Sequence, residues 1–419
     1  MPMAKNNPAR DVFEVFLDAH ELDYSGPVGT LYRDKIRTAL PPSFEYNTEW
    51  ITQQLFMLDP RLELYSGEQH PVGNSFSFGV FLDSAPDRWG RVLMERREAI
   101  QAKKEGRTRR TLQEMDFLLG VHDYTRQGAL RFRRPDGPFL DNSELPTPSV
   151  TDLNELASIC DRLEEEGVEE LPEYEKWLSL LIAPGSSLGG TRPKANFEEN
   201  DGSLWIAKFP AKKDIYDVGA WELVIHRLAE KAKIWVPPSH SIQLASKYHT
   251  FCVKRFDRTG YSRRMYASAM TLLEKKDGES GSYLEMAEFI SNQGASGSIQ
   301  IDLSQLFRRV LFNVLVSNRD DHLRNHGFIR VTDGWRLSDA FDMNPNLNKE
   351  IHALALDDAS PEPDIEVVMS TAEFYRLTND EALDILEEVV DVISGWPEVA
   401  KGLGLSAAES DRMKSAFLI

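Results

Sequence analysis

Residues 314–331, VLVSNRDDHLRNHGFIRV, place two aspartates, two histidines, two asparagines and three arginines between apolar ends. Within this stretch Asn325 follows Asp320 by five positions. Protein kinases use H-R-D-x-x-x-x-N, in which the aspartate is the catalytic base and the asparagine holds a magnesium ion. Asn318 stands where that pattern has histidine. The spacing therefore predicts Asp320 as a base and Asn325 as a metal ligand, although Asp-x4-Asn alone is a weak signal.

A second acidic group follows in the stretch LSDAFDMNPN, residues 337–346. Trp335 and Leu337 indicate a short strand that ends at the acidic residues. Asp342 is well placed to be the second magnesium ligand, since carboxylate and amide oxygens suit a hard cation held mainly by phosphates and water. Asp339 competes for this role, but its position nearer the strand favours a structural one.

A lysine and a glutamate lie upstream, in the order that phosphoryl-transfer machinery uses. The segment LWIAKFP, residues 204–210, places Lys208 on a predicted strand, where an ammonium could pair with the α- and β-phosphates of a nucleotide. Glu222, on the following amphipathic helix, is predicted to form the ion pair that positions this lysine. Without that context, a strand lysine is usually a solvent-facing residue.

A glycine-rich segment precedes both residues: APGSSLGGTRPKANF, residues 183–197. Glycines permit backbone conformations in which consecutive N–H groups surround phosphate oxygens, and Lys194 adds a positive charge. The segment matches neither G-x-G-x-x-G nor the Walker A pattern. A phosphate on Ser186 or Ser187 would place about two negative charges where nucleotide phosphates belong.

The periodicity along the chain predicts an α+β protein with a two-lobed, kinase-like fold. A small α/β subdomain (residues 1–140) precedes a small mixed β lobe with the phosphate loop (150–260) and a mostly helical lobe with the catalytic loop (261–419). The boundary rests on a proline-rich stretch at 135–149. FEYNTEW, residues 44–50, is predicted to be a strand, and the helix beginning in DSAPDRWGRV is predicted to be capped by Asp83 or Ser84.

Composition narrows the class of protein. A formal charge of −19 argues against nucleic-acid binding by the chain as a whole, because phosphates would be repelled. We therefore expect no direct sequence-specific contact with DNA. Residues 88–134 depart from this balance with a local charge of +7, typical of a solvated helix face or of contact with an acidic partner. Two separated cysteines, no leader sequence and no membrane-spanning run predict a cytoplasmic protein.

Taken together, these segments resemble HipA-type serine/threonine kinases, the toxin members of bacterial toxin–antitoxin pairs. The resemblance is carried by SSLGGTRPKANF, LWIAKFP, VKRFDR, NRDDHLRNHGF and AFDMNPN. GPVGTLYRD and FGVFLDSAPDRWGR resemble the amino-terminal subdomain of that family, so the likeness extends over nearly the whole chain.

The resemblance implies ATP and Mg2+ as cofactors and a growth-inhibiting kinase that inactivates itself by autophosphorylation. Ser187 falls at the family's inhibitory serine, with Ser186 as a second possible site. The implied partners are a protein substrate, which in several members is an aminoacyl-tRNA synthetase, and a small helix-turn-helix antitoxin that binds operator DNA. The implied nucleotide-binding residues are Ser187, Leu188, Gly189, Gly190, Thr191, Lys194, Lys208, Val253, Lys254 and Phe256.

Two residues depart from the family pattern. Many members have glycine where this chain has Asp321, and an acidic residue is often found at the position of Lys254. Neither change removes a catalytic group, but Asp321 is expected to add a competing carboxylate beside the base.

Two other functions stay open at this point. His322 and His326, four positions apart, could bind a metal together with Asp320 in a metal-dependent hydrolase; otherwise His322 supports the catalytic loop through hydrogen bonds. The protein could also be a pseudokinase-like module that binds a nucleotide and a partner without catalysis.

Overall fold

The computed structural model of the chain describes residues 10–37, 40–53, 56–72, 75–140, 147–163, 165, 167–182 and 192–419. Its amino-terminal part is an antiparallel sheet in the order β3-β2-β1-β4, flanked by helices. Phe13, Val15, Leu17 and Ala19 are buried at alternate positions, as expected of a strand with one face on a core. The elements are β1 Arg10–Ala19, β2 Tyr24–Asp34, β3 Ser43–Tyr46, α1 Thr48–Thr52, α2 Gly79–Asp83, α3 Arg88–Lys104, α4 Glu114–Leu119 and β4 Leu130–Arg133.

The middle part is a second antiparallel sheet, in the order β5-β6-β8-β7, packed against one long helix. Gly202, with φ at +74°, makes the turn of the first hairpin, and Lys194 pairs with Lys208 across it. The elements are α5 Leu153–Arg162, α6 Tyr174–Ile182, β5 Lys194–Glu198, β6 Leu204–Lys208, α7 Val218–Lys231, β7 Ser239–Ile242 and β8 Thr250–Lys254.

The last part is mostly helical around α10, which is buried along most of its length. A three-stranded sheet, in the order β11-β12-β13, lies beside it. The polar stretch of residues 314–331 runs from the end of α10 through a loop into β12. The elements are β9 Arg258–Thr259, β10 Ser262–Arg263, β11 Tyr266–Ser268, α8 Ala269–Leu272, α9 Tyr283–Gln293, α10 Ile299–Leu315, β12 Gly327–Val331, β13 Gly334–Leu337, α11 Ile365–Ser370, α12 Asn379–Ser394, α13 Trp396–Gly402 and α14 Ala407–Met413.

The apolar cores run across the three parts. One core joins Val15 and Phe44 of the first sheet to Phe307 and Leu311 of α10. A second core joins α3, α5 and α6 to the middle sheet around Phe197. The predicted α+β, two-lobed architecture with a preceding small subdomain is confirmed, while the domain boundaries at 140, 150 and 260 stay a prediction. In the described part of the chain, no helix is both long and apolar enough to cross a membrane.

Two local predictions were wrong. The segment FEYNTEW is a strand only as far as Tyr46, because Asn47 caps α1 by accepting a hydrogen bond from the Glu49 N–H. Helix α3 is capped by Asp87, whose Oδ1 accepts from the Gly90 N–H at 2.8 Å. Asp83 instead ends α2 and accepts hydrogen bonds from Ser268, at 2.8 Å from its N–H and 2.7 Å from its hydroxyl.

We predict that Gly219→Ala lowers the free energy of unfolding by about 1–3 kcal/mol, because a Cβ at this position would lie 2.2 Å from the backbone oxygen of His249. The helix α7 would have to move away from the strand it packs on. Urea denaturation of the full chain measures the change. Gly297→Ala is the matched control, since a Cβ there meets no atom within 4 Å; equal midpoints for the two variants would contradict the prediction.

Candidate active site

The ammonium of Lys208 joins three separate elements at the centre of the molecule. Its Nζ lies 2.6 Å from Oε1 of Glu222 and 2.6 Å from Oδ1 of Asp342. Lys208 ends β6, Glu222 lies in the first turns of α7, and Asp342 follows β13. The structure therefore brings together three residues that sequence spacing predicted to share a site.

Burial and charge act against each other on these three groups. Burial lowers the pKa of Lys208, but Asp342 and Glu222 outweigh it and the pKa is raised above its usual value. Burial raises the pKa of Asp342, but the Lys208 ammonium and other cations outweigh it and hold the pKa at about 2. Burial raises the pKa of Glu222, with Lys208 opposing. At neutral pH the cluster therefore presents an ionised lysine and an ionised Asp342.

A cleft of about 560 Å³, including its open mouth, extends from this cluster. Its wall combines polar and apolar side chains. The polar ones are Lys208, Glu222, His226, Lys254, Arg255, Asp257, Asn325 and Asp342, and the apolar ones include Ile206, Phe251, Val253, Phe256 and Phe341. The rings of Phe256 and Phe341 are stacked, with centroids 5.2 Å apart. A cleft that combines aromatic and apolar side chains with convergent polar groups is typical of a small-molecule site.

The segment from Val253 to Phe256, which the family resemblance implies as a hinge near the adenine, also lines this cleft. Val253, Lys254 and Phe256 all contribute to its wall. The Lys254 ammonium points towards Asp201, at 3.9 Å, on the exposed hairpin turn. The role of this segment in binding an adenine ring stays a prediction.

Asp320 and Asn325 lie together on the loop of residues 317–326, here called the Asp320 loop. The Asp320 carboxylate is 59% exposed and contacts the ammonium of Lys349. Asn325 is buried, lines the cleft and donates its amide N–H to the Asp320 backbone oxygen at 3.4 Å. Because the amide nitrogen faces the loop, the amide oxygen is the atom that can face a cation in the cleft.

Asp321 is the anchor of this loop. Its Oδ2 accepts hydrogen bonds from the Tyr283 hydroxyl at 2.6 Å and the Asn313 amide at 2.8 Å, and lies 2.7 Å from Nε2 of His326. Burial raises the pKa of Asp321, but His326 and the hydrogen bonds outweigh it and lower the pKa. The expectation that Asp321 competes with the base was wrong, because its carboxylate is buried and engaged by these three partners, whereas that of Asp320 is exposed.

Two residues of the site have left-handed backbone. Ser317 has φ at +52° and Asp342 has φ at +57°, a conformation that costs free energy in residues with a Cβ. Such strain persists where the surrounding structure fixes the chain, and it places Asp342 in the cleft. Asp339 is not among the cleft-lining residues, and burial raises its pKa, which agrees with the structural role predicted for it.

Other predicted site residues lie elsewhere or outside the described residues. Lys194 is buried and its Nζ lies 2.9 Å from Oδ2 of Asp87, and it does not line the cleft. His322 precedes the short turn Leu323–Asn325, and its Nδ1 is buried without a hydrogen-bond partner among the described residues. The predicted phosphate-loop residues fall outside the described residues: Gly185, Ser186, Ser187, Leu188, Gly189, Gly190 and Thr191.

A buried charge network behind the hinge escaped sequence reasoning. Arg255 binds Asp257 through two hydrogen bonds of 2.8 and 2.6 Å, and donates to the backbone oxygen of Thr125 at 2.6 Å. Arg258 donates to the backbone oxygen of Arg126 at 2.6 Å, and Asp257 accepts from the Gly128 N–H at 2.8 Å. These contacts tie the wall of the cleft to the amino-terminal part. The sequence VKRFDR displays the charges but not their partners.

The geometry does not support the metal-dependent hydrolase. His326 is committed to buried Asp321, and Asp320 points outward to Lys349. In the described ranges, no group of three or more His, Cys, Asp or Glu side chains could hold a metal ion.

The residues present do fit a magnesium–nucleotide complex. Asn325 and ionised Asp342 supply two oxygen ligands on one cleft, and Lys208 supplies a positive charge beside them. A cation of this kind takes one or two protein ligands and completes its coordination with phosphate and water.

We predict that Asp321→Ala lowers the free energy of unfolding by about 3 kcal/mol, because three polar groups lose their shared buried acceptor. Asp320→Ala is the neighbouring control and should change stability by less than about 1 kcal/mol, since its ion pair is exposed. Chemical denaturation of both variants provides the comparison. Similar losses in the two would show that Asp321 does not anchor the loop.

We also predict a pH-dependent stability that originates in the cleft. Burial lowers the pKa of His226 to about 3. The unfolded chain binds this proton below about pH 6.5 and the folded chain does not, so stability is lost as the pH falls from 7 to 5, by about 2 kcal/mol. His226→Gln should remove that part of the decline, measured as the difference in unfolding free energy between the two pH values. His20→Gln, at an exposed site, should leave the decline unchanged; the same decline in His226→Gln would refute the assignment.

Comparisons with solved structures bear on the fold of the chain. The chain matches a solved structure described as the toxin–antitoxin system HipA, HipB and operator DNA complex of Shewanella oneidensis MR-1, with 16% sequence identity and a TM-score of 0.64. The match covers 96% of this chain and 94% of that one, so the two share a fold. The structure of the Helicobacter pylori proinflammatory kinase CtkA matches with 14% identity, over 54% of this chain and 90% of that one. Its TM-score of 0.38 is too low to support an argument.

No curated protein sequence matches the chain significantly. A family model does: the HipA-like C-terminal domain matches residues 186–396, half of the chain, and includes Lys208, Glu222, the Asp320 loop and Asp342. The chain therefore belongs to the family of proteins with a HipA-like C-terminal domain, and its fold is that of HipA.

Proposed function

We propose that this protein is a serine/threonine protein kinase of the HipA type that transfers the γ-phosphate of ATP to a protein hydroxyl. The observation that carries the proposal is the position of one buried ammonium, Lys208, between Glu222 and Asp342 in a cleft that Asn325 also lines. A structural ion pair alone would not account for an adjoining cleft that aromatic and apolar side chains also line.

Each residue has a defined task in this proposal. Lys208 binds nucleotide phosphates, and Glu222 holds its ammonium in place while Asp342 exchanges part of that contact for the cofactor. Asn325 and Asp342 would hold Mg2+, which neutralises phosphate charge when ATP is bound. Val253, Phe256 and Phe341 enclose the base. Asp320, exposed at the rim, orients the substrate hydroxyl and accepts its proton as the oxygen attacks the γ-phosphorus.

The exposure of Asp320 favours a macromolecular substrate. A base that is 59% exposed on the outer side of its loop can be reached by a side chain presented by another protein. The sequence resemblance points to an aminoacyl-tRNA synthetase as one such substrate, and this stays a prediction.

Self-inactivation belongs to the same proposal. Strand β5 starts opposite Lys208, the residue proposed to bind nucleotide phosphates. A phosphate on Ser187 or Ser186, shortly before that strand, would add about two negative charges near the nucleotide phosphates. ATP binding to a sample phosphorylated there should then be weaker than to an unmodified sample, as measured by calorimetry.

The proposal extends to a partner. In the Shewanella oneidensis structure, HipA is seen with HipB and operator DNA. Since this chain covers nearly all of that fold, we propose that it acts as a toxin restrained by a small DNA-binding antitoxin of the HipB kind. The strongly acidic overall charge of this chain leaves the contact with DNA to the partner.

We predict that Asp320→Asn lowers phosphate transfer from γ-labelled ATP and Mg2+ by about 10²–10⁴-fold, while ATP affinity is retained, because the base is lost and the cleft is not. Lys208→Met should weaken ATP binding as well as transfer. Labelling of the protein and of a cell extract, followed by phosphopeptide mass spectrometry, measures transfer.

Asp411→Asn, on the exposed helix α14, is the matched control and should transfer phosphate like the wild type. Equal labelling by wild type and Asp320→Asn would remove Asp320 as the base. ATP binding by a wild type that transfers no phosphate would favour the nucleotide-binding, non-catalytic alternative.

A further inference from the structure

The segment that follows Asp342 is fastened to the Asp320 loop along its length. Four hydrogen bonds join residues 344–353 to residues 317–319, and they lie on both sides of Lys349. They run from Asn344 N to Asn318 Oδ1 (3.3 Å), Asn346 N to Ser317 O (2.8 Å), Arg319 Nη1 to Lys349 O (2.6 Å) and Ala353 N to Arg319 O (3.1 Å). The backbone of Lys349 is thus held at a fixed place beside the loop.

The side chain of Lys349 then reaches the carboxylate of Asp320. Its Nζ contacts Oδ1 of Asp320, and the two side chains are 43% and 59% exposed. An ion pair this exposed contributes little to stability, because water screens it and two flexible side chains must be ordered. The four hydrogen bonds already hold the two segments together, so the Lys349 ammonium is not needed to connect them.

The cationic side chains of Arg319 and Arg324 in the Asp320 loop, and of Lys208 in the cleft, contact groups other than the Asp320 carboxylate. Arg319 donates to the Lys349 backbone oxygen at 2.6 Å, and Arg324 pairs with Asp277 at 2.9 Å. Lys208 is held between two carboxylates at the inner end of the cleft. In the described part of this loop and of the segment fastened to it, Lys349 is the cation directed at Asp320.

We propose that Lys349 is a catalytic residue that binds the γ-phosphoryl group of ATP and stabilises its charge during transfer. This inference rests on the proposed function. An attacking hydroxyl lies about 3 Å from its base and about 3–3.5 Å from the phosphorus. An ammonium that touches the base is therefore within a small side-chain movement of the phosphoryl oxygens. The dianionic phosphoryl group attracts it more strongly than the screened carboxylate does.

The step balances with Lys349 protonated throughout. The substrate oxygen forms a bond to the γ-phosphorus, and the bond between that phosphorus and the bridging oxygen breaks, so that ADP leaves with the electron pair. The hydroxyl proton passes to Asp320, which the departure of the ammonium has made available as an acceptor. Lys349 donates hydrogen bonds to the phosphoryl oxygens and is neither consumed nor deprotonated.

Only ATP, and not ADP, carries the group that Lys349 is proposed to bind. We expect Lys349→Met to weaken ATP affinity about tenfold and to leave ADP affinity unchanged, because one charge-assisted contact to the γ-phosphate is lost. Turnover should fall by roughly 10²-fold, as when one donor to a developing charge is removed. Lys349→Arg should recover part of both losses. Calorimetry with each nucleotide and labelled-phosphate transfer provide the measurements.

Lys401→Met, on the exposed face of α13, is the control and should match the wild type in both assays. Equal ATP-to-ADP affinity ratios in Lys349→Met and wild type would overturn the inference. Faster transfer by Lys349→Met would also overturn it, since it would show that the lysine merely blocks the base. Urea denaturation of each variant verifies that the chain is folded.

These outcomes are separate from a failure of the proposed function. Transfer that is equal in wild type and Asp320→Asn contradicts the kinase mechanism itself. Transfer that depends on Asp320 but not on Lys349 contradicts only this inference. The ATP-to-ADP affinity ratio tests the phosphate contact even in a sample that transfers no phosphate.

Discussion

One buried positive charge determines how the parts of this molecule meet. The Lys208 ammonium needs compensation once it leaves water, and Glu222 and Asp342 supply it from a helix and from the chain after β13. Neither carboxylate is redundant, since removal of one partner of a buried ion pair leaves an uncompensated charge. The two ion pairs thereby hold strand β6, helix α7 and the segment after β13 together, and residues of all three line the cleft. A ligand that brings phosphates and a cation would replace part of this compensation.

The two neighbouring aspartates show how one short stretch separates structural support from chemistry. Asp321 is buried and Asp320 is exposed, although the two residues are adjacent in the chain. The buried member is satisfied by Tyr283, Asn313 and His326. These contacts keep the pKa of Asp321 low and hold its carboxylate in place. The exposed carboxylate of Asp320 contacts the Lys349 ammonium, and Ser317, at the start of the loop, has left-handed backbone.

Sequence spacing identified candidate site residues where each residue stands in a recognisable local pattern. Lys208, Glu222, Asn325 and Asp342 each stand in a recognisable context of strand, helix or strand end, and the two-lobed fold follows from the same periodicity. The backbone partners of Arg255 and Arg258 were not predictable, because these oxygens belong to residues some 130 positions away. Lys349 stands in a polar segment with no period, so only coordinates could place it beside Asp320. Asp83 resembled a helix cap, but its carboxylate is taken by Ser268, and Asp87 does the capping.

The network behind the hinge also bears on whether the family domain can stand alone. Arg255 and Asp257 are buried, the Arg258 side chain is 6% exposed, and much of their solvation comes from main-chain groups of residues 124–128. A fragment trimmed to residues 186–396 would keep the charges and lose those groups. The cleft of the fragment would then border on charged side chains that have exchanged these protein contacts for water. The amino-terminal third therefore supplies part of the solvation of the buried charges in the HipA-like C-terminal domain.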